Sequence, residues 1–178
     1  MPMPKYALLE NERRFLVLDP PDLSGAPARL IEDRYLEGRL RLRRITHADG
    51  QPQEFKLCKK YGSDDPCSAP IVNIYLTESE HGALAALPGL PLVKRRYRVV
   101  HDGRPFSVDV FEGALTGLVL CEKEADSAAA IRAVTFPPWA IREVTADRFF
   151  AGGNLCRITA DELVARLSEL RLEVEASA

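Results

Sequence analysis

Apolar and polar residues alternate with a period of two through most of the first two-thirds of the chain, the pattern of strands with one buried face. It predicts eight strands, at about Tyr6 to Val17, Leu30 to Leu36, Arg39 to Ile45, Gln53 to Lys60, Ile71 to Leu76, Leu92 to His101, Pro105 to Phe111 and Gly117 to Glu124. Asp49-Gly50 and Asp102-Gly103 both carry the signal of tight hairpins, and the second has strand residues close on either side. Helices are few. Thr77 and Glu80 form a capping box before an Ala- and Leu-rich stretch that ends at Pro88-Gly89. Asp126 is placed to cap a short helix through Val134, which Pro137-Pro138 stops. Thr159 and Glu162 open an amphipathic helix to about Leu172, with Leu163, Val164, Leu167 and Leu170 as its apolar stripe; residues after Glu173 are expected to fray. The class is α+β.

The polar faces of these strands are unusual in their charge. Glu10, Glu12 and Arg14 share a face of the first strand, and Arg39, Arg41 and Arg43 share a face of the third. Lys56 and Lys60 share a face of the fourth with Cys58 between them, Lys94 and Arg96 a face of the sixth, and Glu122 and Glu124 a face of the eighth. Asp109 lies in the seventh between Val108 and Val110. Solvated faces usually intersperse signs, whereas here like charges are segregated strand by strand. Eight strands of this kind can close in two ways. The charged face points outward around an apolar lumen, or inward with the apolar outer faces covered by helices. An inward face requires its charges to be paired or bound to ions, because an isolated buried charge is very costly. The two sets are large enough to hold an anion and a cation side by side. Carboxylates suit a hard divalent cation such as Mg²⁺ or Mn²⁺. Arg forks and Lys ammonium groups suit phosphate oxygens. A polyphosphate carrying its metal satisfies both.

Composition adds bounds. The 178 residues suit one domain spanning 1–178, with no internal repeat, low-complexity tract or long linker. A net charge of -2 gives no global basic field for nucleic acid. Cys58, Cys67, Cys121 and Cys156 lack the spacing of zinc or redox motifs and read as small buried hydrophobes. His47, His81 and His101 are scattered, with no metal role. No apolar run approaches the ~18 residues that span a bilayer. The start of the chain is short and proline-rich rather than signal-like, so a cytoplasmic protein with reduced thiols is expected. An apolar outer wall could support a homodimer.

The same residues resemble a known family. Glu10-Asn11-Glu12-Arg13-Arg14-Phe15-Leu16-Val17 resembles the ExExK opening of the CYTH superfamily, the triphosphate tunnel metalloenzymes. Leu40-Arg41-Leu42-Arg43 resembles its LRLR strand, and Lys94-Arg95-Arg96-Tyr97 its K-x-R strand. Asp109-Val110-Phe111-Glu112-Gly113, with Leu115 and Gly117-Leu118, resembles DxFxGxLxGL. Leu120 to Glu124 resembles the ExE strand, and Glu143-Val144-Thr145 with Asp147 the late EVT-x-D segment after Trp139. The likeness runs from about Tyr6 to Leu155, with six motifs in the family's order.

The resemblance implies an eight-stranded antiparallel closed barrel, a tunnel, with helices outside. It implies Mg²⁺- or Mn²⁺-dependent chemistry: hydrolysis of inorganic triphosphate or thiamine triphosphate, removal of the 5′ phosphate of RNA, or cyclisation of ATP. By residue, Glu10, Glu12, Glu122 and Glu124 would hold metal with Asp109 in support, and Glu12, Glu122 and Arg14 would be the catalytic set. Arg14, Arg39, Arg41, Arg43, Lys56, Lys60, Lys94 and Arg96 would grip phosphate, with three lysines competing in the segment Lys56 to Lys60. Arg14 stands where the family has lysine, Asn73 and Ser107 where acids are common, and Gly152-Gly153 where the closing segment is commonly basic. The leading expectation is a triphosphatase acting on inorganic or organic triphosphate. The alternatives are a class IV-like adenylyl cyclase, a polyphosphate- or nucleotide-binding module with little turnover, and a lipocalin-like barrel. Trp139 and the terminal helix are expected to pack on the outside of the barrel, and Arg13 to be structural.

Overall fold

A computed structural model describes residues 3–37 and 39–176. Among these residues nine strands follow one another as β1 (Leu8–Leu16), β2 (Ala28–Tyr35), β3 (Leu40–His47), β4 (Glu54–Lys60), β5 (Ser68–Leu76), β6 (Leu90–His101), β7 (Arg104–Phe111), β8 (Val119–Ala125) and the two-residue β9 (Arg142–Glu143). The helices are α1 (Glu78–Ala85), α2 (Ala128–Arg132), α3 (Gly152–Leu155) and α4 (Ala160–Glu175). The sheet order is β5-β4-β3-β2-β6-β7-β8-β1-β9, and β5 also pairs with β1, so eight antiparallel strands close into a barrel. This is the expected architecture, with one strand added.

β1 is the closing element. One of its edges pairs with β8 from Asn11↔Ala125 to Leu16↔Leu120. The other pairs first with β5, from Leu8↔Ile71 to Asn11↔Ser68, and then with β9 at Phe15↔Glu143 and Leu16↔Arg142. Between these two partners the Glu12 amide donates to the Cys67 carbonyl at 2.9 Å, and the Arg14 amide to Thr145 Oγ1 at 2.9 Å. A changeover in mid-strand therefore leaves no amide at residues 12 and 14 without an acceptor.

The Asp102-Gly103 hairpin has both central residues at positive φ, +49° and +71°, the tight turn that suits twisted strands. Asp49-Gly50 departs from expectation: six residues separate His47 from Glu54. There Asp49 folds the loop by accepting from the Gln51 amide and side chain. Asp126 is not the cap of α2. Ser127 is, accepting from the Ala130 amide at 3.1 Å. Both expected capping boxes form, at Thr77–Glu80 and Thr159–Glu162. α4 runs past Leu172 to Glu175, so Val174 and Glu175, where fraying was expected, are helical, and Glu173 pairs with Arg142.

Strand parity decides the interior. On β1, β8, β7 and β6 the inner face changes from charged to apolar along the barrel axis: Glu10, Glu12 and Arg14 lead to Leu16, Glu124 and Glu122 to Leu120, Asp109 to Phe111, and Arg96 and Lys94 to Leu92. At the apolar end Leu16, Leu92, Phe111 and Leu120 join Phe150, Leu155, Leu163 and Leu170 in one buried cluster. Thus α3 and α4 stopper that end, where the sequence suggested a helix along the outer wall. The outer face of β1, β7 and β8 buries Val17, Phe106, Val108 and Cys121 under the segment carrying Phe136, Trp139 and Ala140. Phe15 and Phe136 stack there at 3.9 Å, so Trp139 packs outside as expected. All four cysteines are free. Among the described residues, no helix is long and apolar enough to cross a membrane.

Candidate active site

Above the apolar stopper the lumen holds a cavity of about 390 Å³. Arg14, Arg39, Arg41, Arg43, Lys60, Lys94 and Arg96 line it, as do Glu10, Glu12, Asp33, Glu122 and Glu124. The charged faces therefore point inward, and the lipocalin-like alternative with a greasy centre is excluded.

One wall is acidic. Glu10, Glu12 and Glu124, from β1 and β8, each offer a carboxylate oxygen within 4.8 Å of the others. Glu10 Oε2 accepts from Lys60 Nζ at 2.5 Å, and Glu12 Oε1 accepts from Arg14 Nη2 at 2.5 Å. Each keeps its second oxygen, and Glu124 has no ion pair among the described residues. Burial and the nearby Glu122 push the Glu12 carboxyl above the usual range, despite Arg14. A crowded set of oxygen donors with a proton-prone member suits a hard divalent cation, which would relieve the repulsion.

The opposite walls are basic but not bare. Arg43 makes a two-pronged bond to Asp33, Nε to Oδ1 at 2.6 Å and Nη2 to Oδ2 at 2.8 Å. Arg41 Nε lies 3.8 Å from the same carboxylate and is buried without a hydrogen-bond partner. Burial alone would raise the Asp33 carboxyl, but Arg43 and Arg41 hold it below its ordinary value. Sequence reasoning misses Asp33. On β2 it alternates with Glu32 and Arg34, so charge on both faces conceals which is inner.

Asp109, fully buried at 0% exposure, stands behind the basic wall. Its oxygens accept from Arg96 Nε and Nη2, both at 2.6 Å, and from Lys94 Nζ. Glu122 accepts from Arg14 Nε at 2.8 Å and from Arg96. Lys94, Arg96 and Arg14 hold its carboxyl well below the usual range against the upward push of burial. Asp109 and Glu122 are thus spacers between cations, and neither belongs to the acidic trio. Burial lowers the Lys94 ammonium, with Asp109 and Glu122 opposing. Arg14 bridges Glu12 and Glu122, and its Nη1 donates to the Phe150 carbonyl at 3.0 Å, tying the site to the closing segment. Its guanidinium cannot act as a base.

Two candidate phosphate ligands sit at the edges. Lys56 does not line this cavity; it bonds Glu54 at 2.7 Å and lies over Tyr75. Arg39 follows the turn before β3 and is exposed at the rim, against Gly62. Seven basic side chains line the cavity, and its five acids with Asp109 nearly cancel them. A strongly anionic ligand would leave the lumen negative unless divalent cations entered with it.

Comparison with solved structures gives three informative likenesses. A crystal structure of the hypothetical protein NE1496 is 30% identical with a TM-score of 0.56, and the match covers 84% of this chain and 99% of that one. A second structure, of the inorganic triphosphatase NE1496, is 30% identical with a TM-score of 0.54, covering 83% and 93%. The PH1819 protein from Pyrococcus horikoshii, at 16% identity and a TM-score of 0.51 over 68% of this chain and 82% of that one, shares the fold. No family model and no curated protein matches the sequence.

Proposed function

This chain belongs to the triphosphate tunnel (CYTH-type) family that includes the inorganic triphosphatase NE1496, and from that premise we propose that it hydrolyses inorganic triphosphate or an organic triphosphate with Mg²⁺ or Mn²⁺. The observation that carries this reading is the acidic trio Glu10, Glu12 and Glu124 facing a basic wall across one enclosed lumen.

Arg41, Arg43, Lys94 and Arg96 would bind and align the phosphates. Arg41 Nε, buried without an acceptor, is a donor that a phosphate oxygen would satisfy. Glu10, Glu12 and Glu124 would hold the cation. When bound there, it neutralises phosphate charge and makes water more acidic. Glu122 and Asp109 keep Arg14, Arg96 and Lys94 in fixed positions, so that the donors need no reorganisation as charge develops on phosphorus-bound oxygens. Arg14 supplies a permanent charge between Glu12 and Glu122.

The test is phosphate release from triphosphate, thiamine triphosphate, ATP and GTP with Mg²⁺ or Mn²⁺, with cyclic AMP measured in parallel. Glu12→Gln and Glu122→Gln should each lose about 100-fold or more in turnover, whereas Arg171→Gln, on the exposed side of α4, should not. Equal, small effects of all three would reject the assignment. Arg14, which stands where the family has lysine and cannot act as a base, favours a second reading, a binding module with little turnover. Tight triphosphate binding without phosphate release would select it.

A further inference from the structure

The lumen has a second mouth, at the ends of the strands away from α3 and α4. There a cavity of about 390 Å³ is lined by Arg29, His47, Arg98 and Ser107, and it shares Arg96, Glu122 and Glu124 with the first. The two spaces meet at the Arg96–Glu122 pair.

Arg29 and Arg98 are on the inner face by parity with Asp33 and Arg96. In register Arg29 lies directly opposite both His47 and Arg96, and Arg98 opposite Ser107. Like charges facing one another across neighbouring strands repel. Every arginine lining the first cavity other than the exposed Arg39 has a carboxylate within 4.0 Å; among the described residues the half-buried Arg29 and the exposed Arg98 have none. The acids that could serve them are committed. Glu122 accepts from Arg14 and Arg96, Glu54 from Lys56 and His47, and Glu124 belongs to the acidic trio. Asp49 is at the exposed rim and bonds Gln51. Ser107 brings a hydroxyl where a carboxylate would have paired Arg98. Burial and then Arg96 hold the Arg29 guanidinium below its ordinary pKa, a penalty that a neighbouring anion would lift.

We propose that this mouth is a second anion subsite, in which Arg29 and Arg98 take a phosphoryl group lying beyond the three held in the first cavity. The chemical class is a linear oligophosphate of four or more phosphates, or an orthophosphate that enters by itself. Two forked guanidinium groups with free donors match such a group, and the shared lining lets one chain span both spaces. The subsite rests on the proposed reading of the first cavity for its numbering of phosphates, though not for its affinity for phosphate.

Calorimetry on the full chain, without added metal and again with Mg²⁺, tests it with triphosphate, tetraphosphate and orthophosphate as probes. Wild type is compared with Arg98→Gln and with the double variant Arg29→Gln/Arg98→Gln. Tetraphosphate should bind wild type roughly tenfold more tightly than triphosphate, the scale of one charge-assisted contact. The double variant should lose that gap while its triphosphate affinity stays within about twofold, which also shows that it is folded. If orthophosphate is the occupant, it should raise the melting temperature of wild type and not of the double variant, with no chain-length gap. Equal binding of both chains to wild type, with orthophosphate protection absent or undiminished in the variants, would overturn the subsite. Failure of every oligophosphate to bind, with or without Mg²⁺, would instead sink the reading of the first cavity. Orthophosphate protection would then decide the second mouth alone.

Discussion

Replacing Asp109 with asparagine separates a structural carboxylate from a metal ligand. Asp109 is fully buried and accepts three charge-assisted bonds, two from Arg96 and one from Lys94. The amide introduced by Asp109→Asn would keep the shape but leave two buried cations with only Glu122 between them. Removing one partner of a buried ion pair costs about 3–5 kcal/mol, since the remaining charge stays desolvated. At roughly 2–4 °C per kcal/mol for a chain of this size, the melting temperature should fall by about 10 °C in metal-free buffer. Part of the loss is recoverable. Burial already lowers the Lys94 pKa, and without Asp109 the amine sheds its proton more easily. A lysine whose folded pKa is depressed gains stability as pH rises toward the unfolded value. The deficit should therefore shrink as pH rises toward the unfolded lysine value, about 10.4. Inorganic triphosphate should also restore stability by supplying the missing negative charge. The assay is urea unfolding of metal-free protein over that rise in pH, with and without triphosphate. Unchanged metal-free stability, coupled with loss of stabilisation by Mg²⁺, would refute the reasoning and make Asp109 a metal ligand.

Glu122 and Glu12 should respond to acid in opposite ways. The depressed Glu122 carboxyl contributes stability that is present above the unfolded glutamate pKa, about 4.3, and is lost as pH falls through the folded value. Glu122→Gln should flatten the acid limb of the stability curve measured by urea unfolding. The raised Glu12 carboxyl does the reverse, its contribution being lost as pH rises, so Glu12→Gln should leave the metal-free protein at least as stable as wild type at pH 7. The same variant should abolish stabilisation by Mn²⁺ in a melting experiment. At Gly152 a Cβ would lie 1.9 Å from the Tyr35 hydroxyl, so Gly152→Ala should displace Tyr35 and cost about 1–3 kcal/mol by overpacking. A calorimetric melt identical to wild type would show that the closing segment yields freely.

Much of the barrel was legible because the alternation is strict and the polar face of most strands carries one sign of charge. Glu10, Glu12 and Arg14, or Lys94 and Arg96, could be placed on one face by counting in twos. The counterions were harder to read. Asp33 lies among Glu32 and Arg34, so β2 is charged on both faces and parity alone names no interior. Lys56 and Lys60 share a face, yet one pairs with Glu54 beyond the first cavity and the other with Glu10 within it. That difference is one of position along the axis, which depends on the stagger between strands and leaves no local signature. β9 and α3 are too short for a periodic signal; β9 is held by its pairing with Phe15 and Leu16, and α3 by Leu155 in the apolar cluster. The capping boxes, being local hydrogen-bond patterns, were readable, while the choice of Ser127 over Asp126 turned on a single residue of register.

The changeover along β1 also sets the order in which a newborn chain can finish. β1 is complete at Leu16, but the strand that shields most of its length does not begin until Val119. At 5–20 residues per second, a ribosome needs roughly 5–20 s to make the intervening segment. During that interval the opening stave waits with an unmated edge, and the ring cannot shut around its charges. Such distant pairing slows folding. The half-made polypeptide, rather than the finished cylinder, is then the form most exposed to aggregation, and slowing synthesis should lengthen its stay.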